Sequence, residues 1–497
     1  MDDQFQLSLS SFCHPGCSHG VARRDFLMLA GGAAAVACLP ASVLRAESAT
    51  VADGKRQAVI RGAFIYPPTE QLDKAGYYSW PGSTFDAEGR QQQYQRRLAE
   101  MEKRLDLSLG IDQTPLDSRE SVESFIKDVK QSRPDGLLLF PFKKGHWDRV
   151  VRIVKETEVP TIILATQGVL LVGHVRQLHD EPETYLINSL NNLDAVESGL
   201  KMIRAAHRLR MATIINVDGR ERKEYRVHGC GTRVVNVPHQ QFYDIYAKTQ
   251  ADEPVRQLAQ EWTSLAKKIV QPNEADILDA ARAYFALKTL IDQERADAMM
   301  MNCLPGLYHP HKHVPPCMGF MKLRDERIPA GCESDLHSTL TMILYQELFD
   351  KPTFQHNESV DTETNLYFGA HCTSASRLAG FDTEPEPLEL MSHAEAGWGC
   401  VPRVLMKPET PVTLGYYLPP VDENGKARMA IYTGEVVRCP PIPETGGCRT
   451  NVEVKLNNLE DAISFIEGRH TCLIYGDHGE ELRRYCQLMD IEVVNEA

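Results

Sequence analysis

Gly136-Leu137-Leu138-Leu139-Phe140-Pro141 decides the fold. Five consecutive apolar residues ended by a proline are too few for a helix. They suit a strand buried on both faces, the kind found in parallel sheets. Upstream, Arg90–Leu105 and Ser121–Ser132 place apolar residues at helical spacing, and Val59–Tyr66 reads as a first strand stopped by Pro67-Pro68. Downstream, Trp147–Glu156 reads as a helix, and Thr161–Ala165 follows Pro160 as the next strand. Strands alternating with helices at this interval predict a parallel sheet covered on both faces.

The rhythm restarts beyond this unit. Helices are expected over Asn192–Arg208, Glu253–Ile269, Asp276–Glu294 and Thr339–Leu348, with strands at Met211–Val217, Val234–Pro238 and Ala298–Asn302. Composition changes near residue 395. Pro411–Tyr416, Ala430–Val437 and Asn451–Leu456 alternate apolar and polar residues between turns, the pattern of an antiparallel barrel or sandwich. The expected class is α/β: two α/β sandwich (Rossmann-like) domains over residues 55–175 and 176–392, then a small antiparallel, β-barrel-like domain over 393–497.

The chain begins differently. Arg23-Arg24 is followed by Phe26-Leu27 and a Gly/Ala-rich apolar run from Met28 to about Leu39, with Pro40 and a stretch ending at Ala46 as a cleavage region. This resembles a twin-arginine signal peptide over residues 1–48. The run is shorter than the roughly 20 residues a membrane-spanning helix needs. A protein that is periplasmic or otherwise exported by the twin-arginine pathway, with no stable span in its mature part, is the expectation.

Charge and motifs exclude several classes. A net charge of −14 with no long basic run argues against a nucleic-acid partner. Gly229-Cys230-Gly231-Thr232 is not a dinucleotide fingerprint, and neither a P-loop nor a Gly-x-Ser-x-Gly elbow occurs. The 13 cysteines are scattered without a CxxC pair, so no disulfide framework is expected.

Three ordered stretches carry a family resemblance. The first runs from Asp297 to Asp335 and contains Cys303-Leu304-Pro305-Gly306, Pro316-Cys317-Met318 and Ile328-Pro329-Ala330-Gly331-Cys332-Glu333-Ser334-Asp335. The second runs from Pro352 through Phe354-Gln355-His356-Asn357-Glu358 to Gly369-Ala370-His371-Cys372. The third pairs Gly447-Cys448-Arg449-Thr450 with Arg469-His470-Thr471-Cys472-Leu473-Ile474-Tyr475. Together they resemble the L-fucose/L-arabinose isomerase superfamily over roughly the last 200 residues.

That resemblance implies a metal-dependent isomerase of a free sugar, converting aldose to ketose by an ene-diol route, with Mn²⁺ or another divalent cation as cofactor. It implies Glu333 as metal ligand and acid/base, His470 as a ligand, and His371 as a further ligand. It also implies a homo-oligomer. Where the family carries its second carboxylate, this chain offers His356 or Asn357, with Glu358 beside them. His356 could ligate as neutral imidazole or act as base, Asn357 could ligate only through its carbonyl, and Glu358 could stand in for the lost acid. Trp398 and Arg449 are candidate sugar contacts by stacking and hydrogen bonding. His311, in the His309–His313 loop, is another. Read from residues alone, Glu333 equally suits a helix N-terminus and Asp335 a cap. The missing acid and the export signal also admit a non-catalytic sugar- or metal-binding protein on the same scaffold.

Overall fold

The computed structural model describes residues 57–72, 84–166, 168–307, 314–422, 425–442 and 447–496. The leader, with Arg23 and Arg24, and the loop carrying His311 lie outside these residues.

The first unit is a five-stranded sheet of Ala58–Ile65 (β1), Leu107–Ile111 (β2), Gly136–Pro141 (β3), Thr161–Thr166 (β4) and Thr184–Ser189 (β5). Its order is β2-β1-β3-β4-β5 and every ladder is parallel. All six residues of β3 are buried. Leu138 and Phe140 join one apolar cluster with Tyr94 and Ile203, while Leu137 and Leu139 join another with Phe125 and Val150. Alternate side chains of one strand thus enter opposite layers, as a sheet covered on both faces requires. The sheet runs to Ser189, beyond the boundary expected at 175.

The second sheet contains Thr213–Val217 (β6), Lys223–Arg226 (β7) and Arg233–Val237 (β8). The helix expected over Glu253–Ile269 ends at Leu265, and Ala266–Ile269 is instead a strand (β9). Ala298–Met301 (β10) and Ala330–Cys332 (β11) complete the second sheet, in the order β11-β10-β6-β8-β7. Only β7–β8 is antiparallel.

Next come Phe354–Asp361 (β12), Leu366–His371 (β13), Leu388–Met391 (β14) and Val401–Val404 (β15). The hairpin β14–β15 accepts β9 as a parallel neighbour. That pairing explains the correction at Ala266–Ile269, where a long-range ladder outweighs local helical spacing.

The last sheet adds Pro411–Leu418 (β16), Arg428–Arg438 (β17), Thr450–Leu456 (β18), His470–Tyr475 (β19) and Glu492–Glu496 (β20) to β12 and β13. Its order is β16-β19-β12-β13-β18-β17-β20, and β16 also pairs with β17. Six strands therefore form a closed circuit of antiparallel ladders, with β20 added in parallel. Because β12 and β13 belong to it, this sheet begins well before residue 393. Among the described residues no helix is long and apolar enough to cross a membrane.

Candidate metal centre

Glu333 follows β11 directly, and both Glu333 and Ser334 adopt left-handed backbone angles, φ +59° and +54°. This sharp turn redirects the chain into the helix Leu336–Phe349. Two bonds hold it: the Ser334 amide donates to the Met301 carbonyl at 3.1 Å, and Ser334 Oγ donates to Asn216 Oδ1 at 2.6 Å. Two consecutive strained residues are costly, and such turns cluster where geometry serves function.

The turn aims Glu333 at two imidazoles. Glu333 Oε1 lies 3.6 Å from His371 Nε2, and Oε2 lies 3.7 Å from His470 Nε2. These separations exceed a hydrogen bond. Both Nε2 atoms are buried without a hydrogen-bond partner. One ligand atom from each of the three residues lies within 4.8 Å of the others. Buried polar atoms are ordinarily satisfied, so two orphaned ring nitrogens facing one carboxylate suit a divalent cation between them.

The environment prepares the His470 ring. Asp335 Oδ1 accepts the Ser338 amide at 2.8 Å, capping the helix, while Oδ2 sits 2.8 Å from His470 Nδ1. An ionised carboxylate only accepts, so Nδ1 carries a proton, and a cation that displaced any proton from Nε2 would meet that nitrogen's lone pair on the side facing Glu333. Burial pushes the Asp335 carboxyl up, but the hydrogen bond and charge of His470 outweigh it and hold it below its usual range. Burial pulls His470 down, yet Asp335 and Glu333 leave it raised above an ordinary imidazole. Burial raises Glu333, opposed by His470 and reinforced by Glu395 and Asp335.

A buried clamp joins the sheet carrying Glu333 to the sheet carrying His470. Arg324, only 2% exposed, donates from Nε and Nη2 to the Ala330 carbonyl at 2.9 and 2.7 Å, and from Nη2 to Gln355 Oε1 at 3.1 Å. Gln355, on β12, accepts the Cys332 amide at 2.9 Å and donates to the Cys332 carbonyl at 3.2 Å. Sequence reading missed Arg324, Gln355 and the second role of Asp335.

The other candidates occupy different surroundings. His356 is fully buried, with Nδ1 3.1 Å from the Phe354 carbonyl and Nε2 against the Tyr367 hydroxyl. Burial lowers its pKa to about 3. It is not in the three-residue group. Asn357 stands opposite His470 in the β12–β19 ladder and opposite Ala370 in β12–β13. Glu358 accepts from Thr471 Oγ1 and from the Arg469 amide at 2.9 Å. Arg449 donates from Nε to the Ser392 carbonyl at 2.9 Å, and the Trp398 carbonyl accepts the His393 amide at 3.1 Å. Both border the turn bearing Glu395, whose charge reaches Glu333.

A mixed α/β scaffold with parallel sheets thus presents a carboxylate and two imidazoles converging at a strand-to-helix turn. No protein-family profile matches the chain. It is similar to a sulfoquinovose isomerase of Alkalicoccus urumqiensis, 21% identical over 418 residues, covering 76% of this chain and 89% of that protein. It is also similar to sulfoquinovose isomerases of Priestia megaterium (25% over 263 residues, 48% of this chain, 54% of the relative) and of a Clostridium species (26% over 229 residues, 42% and 46%).

Proposed function

We propose that the chain is a metal-dependent isomerase that interconverts the aldose and ketose forms of a sugar. The observation that carries this reading is the convergence of Glu333 on the unpartnered Nε2 atoms of His371 and His470. Those three residues would hold a divalent cation, and an oxygen-and-imidazole donor set suits Mn²⁺. When bound, the cation would polarise the sugar's carbonyl and hydroxyl oxygens and make the carbon-bound proton easier to remove.

The chain's own residues supply the rest. Isomerisation moves a proton between C1 and C2, and Glu333, partly exposed and aimed at the same point as the two imidazoles, is the carboxyl placed to exchange that proton. Asp335 fixes the His470 ring by holding Nδ1–H. Trp398 and Arg449 would contact the sugar from the rim. The similarity to sulfoquinovose isomerases makes sulfoquinovose the first aldose to offer.

The test is conversion of sulfoquinovose and simple aldoses by the purified chain with and without Mn²⁺, beside Glu333→Gln. Conversion should need the cation and fall by about 10²–10⁴-fold in the variant. Activity unchanged by Glu333→Gln would overturn the assignment. One observation favours a second reading: His356 and Asn357, the two positions at which the resemblance calls for an acid, pair with β19 beside His470 and neither carries a carboxylate. Sugar binding with no turnover of any aldose would support a binding protein instead.

We also propose that the protein acts outside the cytoplasm and in oligomeric form. Export rests on Arg23-Arg24 and the apolar run behind them. Replacing both arginines by lysine should retain the full chain in the cytoplasmic fraction. Unaltered fractionation would remove the export reading. The oligomer rests on the family resemblance alone, and a monomer by light scattering would exclude it.

A further inference from the structure

Behind His371 lies a second group of ligand-type side chains that the isomerase reading leaves unused. Cys317 opens the helix Cys317–Asp325, Cys372 follows β13, and His393 follows β14. They are 1%, 4% and 3% exposed, and one ligand atom of each lies within 4.8 Å of the others. Three separate elements therefore deliver two thiols and an imidazole to one buried point. Around it the sulfurs continue: Cys332 Sγ is 3.8 Å from Cys372 Sγ and 3.4 Å from Cys303 Sγ. None is in a disulfide.

We propose that Cys317, Cys372 and His393 hold a second divalent cation, of the borderline-soft class of zinc, distinct from the ion at Glu333. Thiolate and imidazole donors select such metals, whereas a carboxylate with two imidazoles accepts harder ones. Burial does not bar loading, because a structural thiolate site takes up its ion as the chain folds. Loading gives up the thiol hydrogen bond between Cys317 and Cys372, which two thiolates cannot make, and the weak 3.3 Å bond from the Ala396 amide to His393 Nδ1, since a ring that ligates through one nitrogen carries its proton on the other.

The second ion has a consequence for the first. Cys372 Sγ lies 3.4 Å from His371 Nδ1. A metal-bound thiolate there accepts a hydrogen bond from Nδ1–H, which keeps the proton on Nδ1 and leaves Nε2 facing Glu333 with its lone pair. It does for His371 what Asp335 does for His470, and partners of this kind change metal affinity by about 10–100-fold.

The experiment expresses the full chain in medium supplemented with Co²⁺ and purifies it under reductant without chelator. The expected spectrum contains an intense near-ultraviolet sulfur-to-cobalt charge-transfer band, which one carboxylate and two imidazoles cannot produce. The band should persist in Glu333→Gln and be lost in Cys317→Ser and in His393→Gln. Cobalt bound without a thiolate band overturns the proposal and leaves the Glu333 centre standing. A band lost in Glu333→Gln shows that the thiols serve the first site, which also overturns it. A Cys317–Cys372 disulfide by mass spectrometry, or no cobalt uptake at all, does the same. If the cysteine and histidine variants fail to fold, the wild-type and Glu333→Gln spectra decide between these outcomes.

Discussion

Asp335 shows how much one residue can carry. In sequence it reads as a helix cap, and its Oδ1 is one, but its other oxygen holds a histidine 135 residues away. Asn caps a helix about as well as Asp, so Asp335→Asn separates the two roles. The expected outcome is a loss of Mn²⁺ affinity of about 10–100-fold by calorimetric titration, with the helix cap retained. Unchanged affinity would make Asp335 a cap alone. His356 teaches the reverse lesson. Its position in the motif admits a base or a ligand, whereas its ring lies over Gly369 and its Nε2 meets Tyr367.

At the scale of elements, what matters is how the edge strand β11 is fastened to β12. Four of the five residues Leu323-Arg324-Asp325-Glu326-Arg327 are charged, yet Arg324 is buried and spends its guanidinium on the Ala330 carbonyl, Gln355 and the Thr373 carbonyl at 3.4 Å. Arg324→Met would strip donors from three buried acceptors, costing roughly 3 kcal/mol or more. The variant should unfold at correspondingly lower denaturant and lose activity, because the Glu333 turn hangs from the same strand. Retained stability would mean that water replaces the guanidinium. Periodicity misjudged Ala266–Ile269 for a related reason, since only the β14 edge makes that segment a strand.

Across the whole molecule, the first sheet is tied to the rest partly by charge. Asp135 accepts the Val59 amide at 2.8 Å, lies 3.1 Å from His207 Nδ1 and pairs with Arg210. It thereby links β1, the approach to β3 and the helix Leu193–Met211. Burial raises this carboxyl, but His207, the Val59 amide and Arg210 prevail and lower it to about 2. The unfolded value is about 3.9, so the stabilisation, about 2 kcal/mol, is complete above about pH 4 and lost as pH falls through about 2. Asp135→Asn should lower stability at neutral pH by about that amount and flatten the unfolding curve between those limits. A mutant whose acid limb matches the wild type would show that Asp135 is not its source.

The sequence by itself determined the elements whose cause is local. β3 follows from five apolar residues and a proline, and the helices and late strands follow from periods of 3.6 and 2. Asp335 as a cap follows from its place before Leu336. Motif order also picked out Glu333, His371 and His470. Only the tertiary structure decided that these three meet, because they stand on β11's turn, β13 and β19: β12 pairs with β13 and, across more than a hundred positions, with β19, and the buried Arg324–Gln355 clamp ties β11 to β12. It alone placed β5 in the first sheet and β12–β13 in the last, buried Arg324, and set Cys317, Cys372 and His393 at one point. Long-range pairing and burial are properties of the packed chain, and no local pattern encodes them.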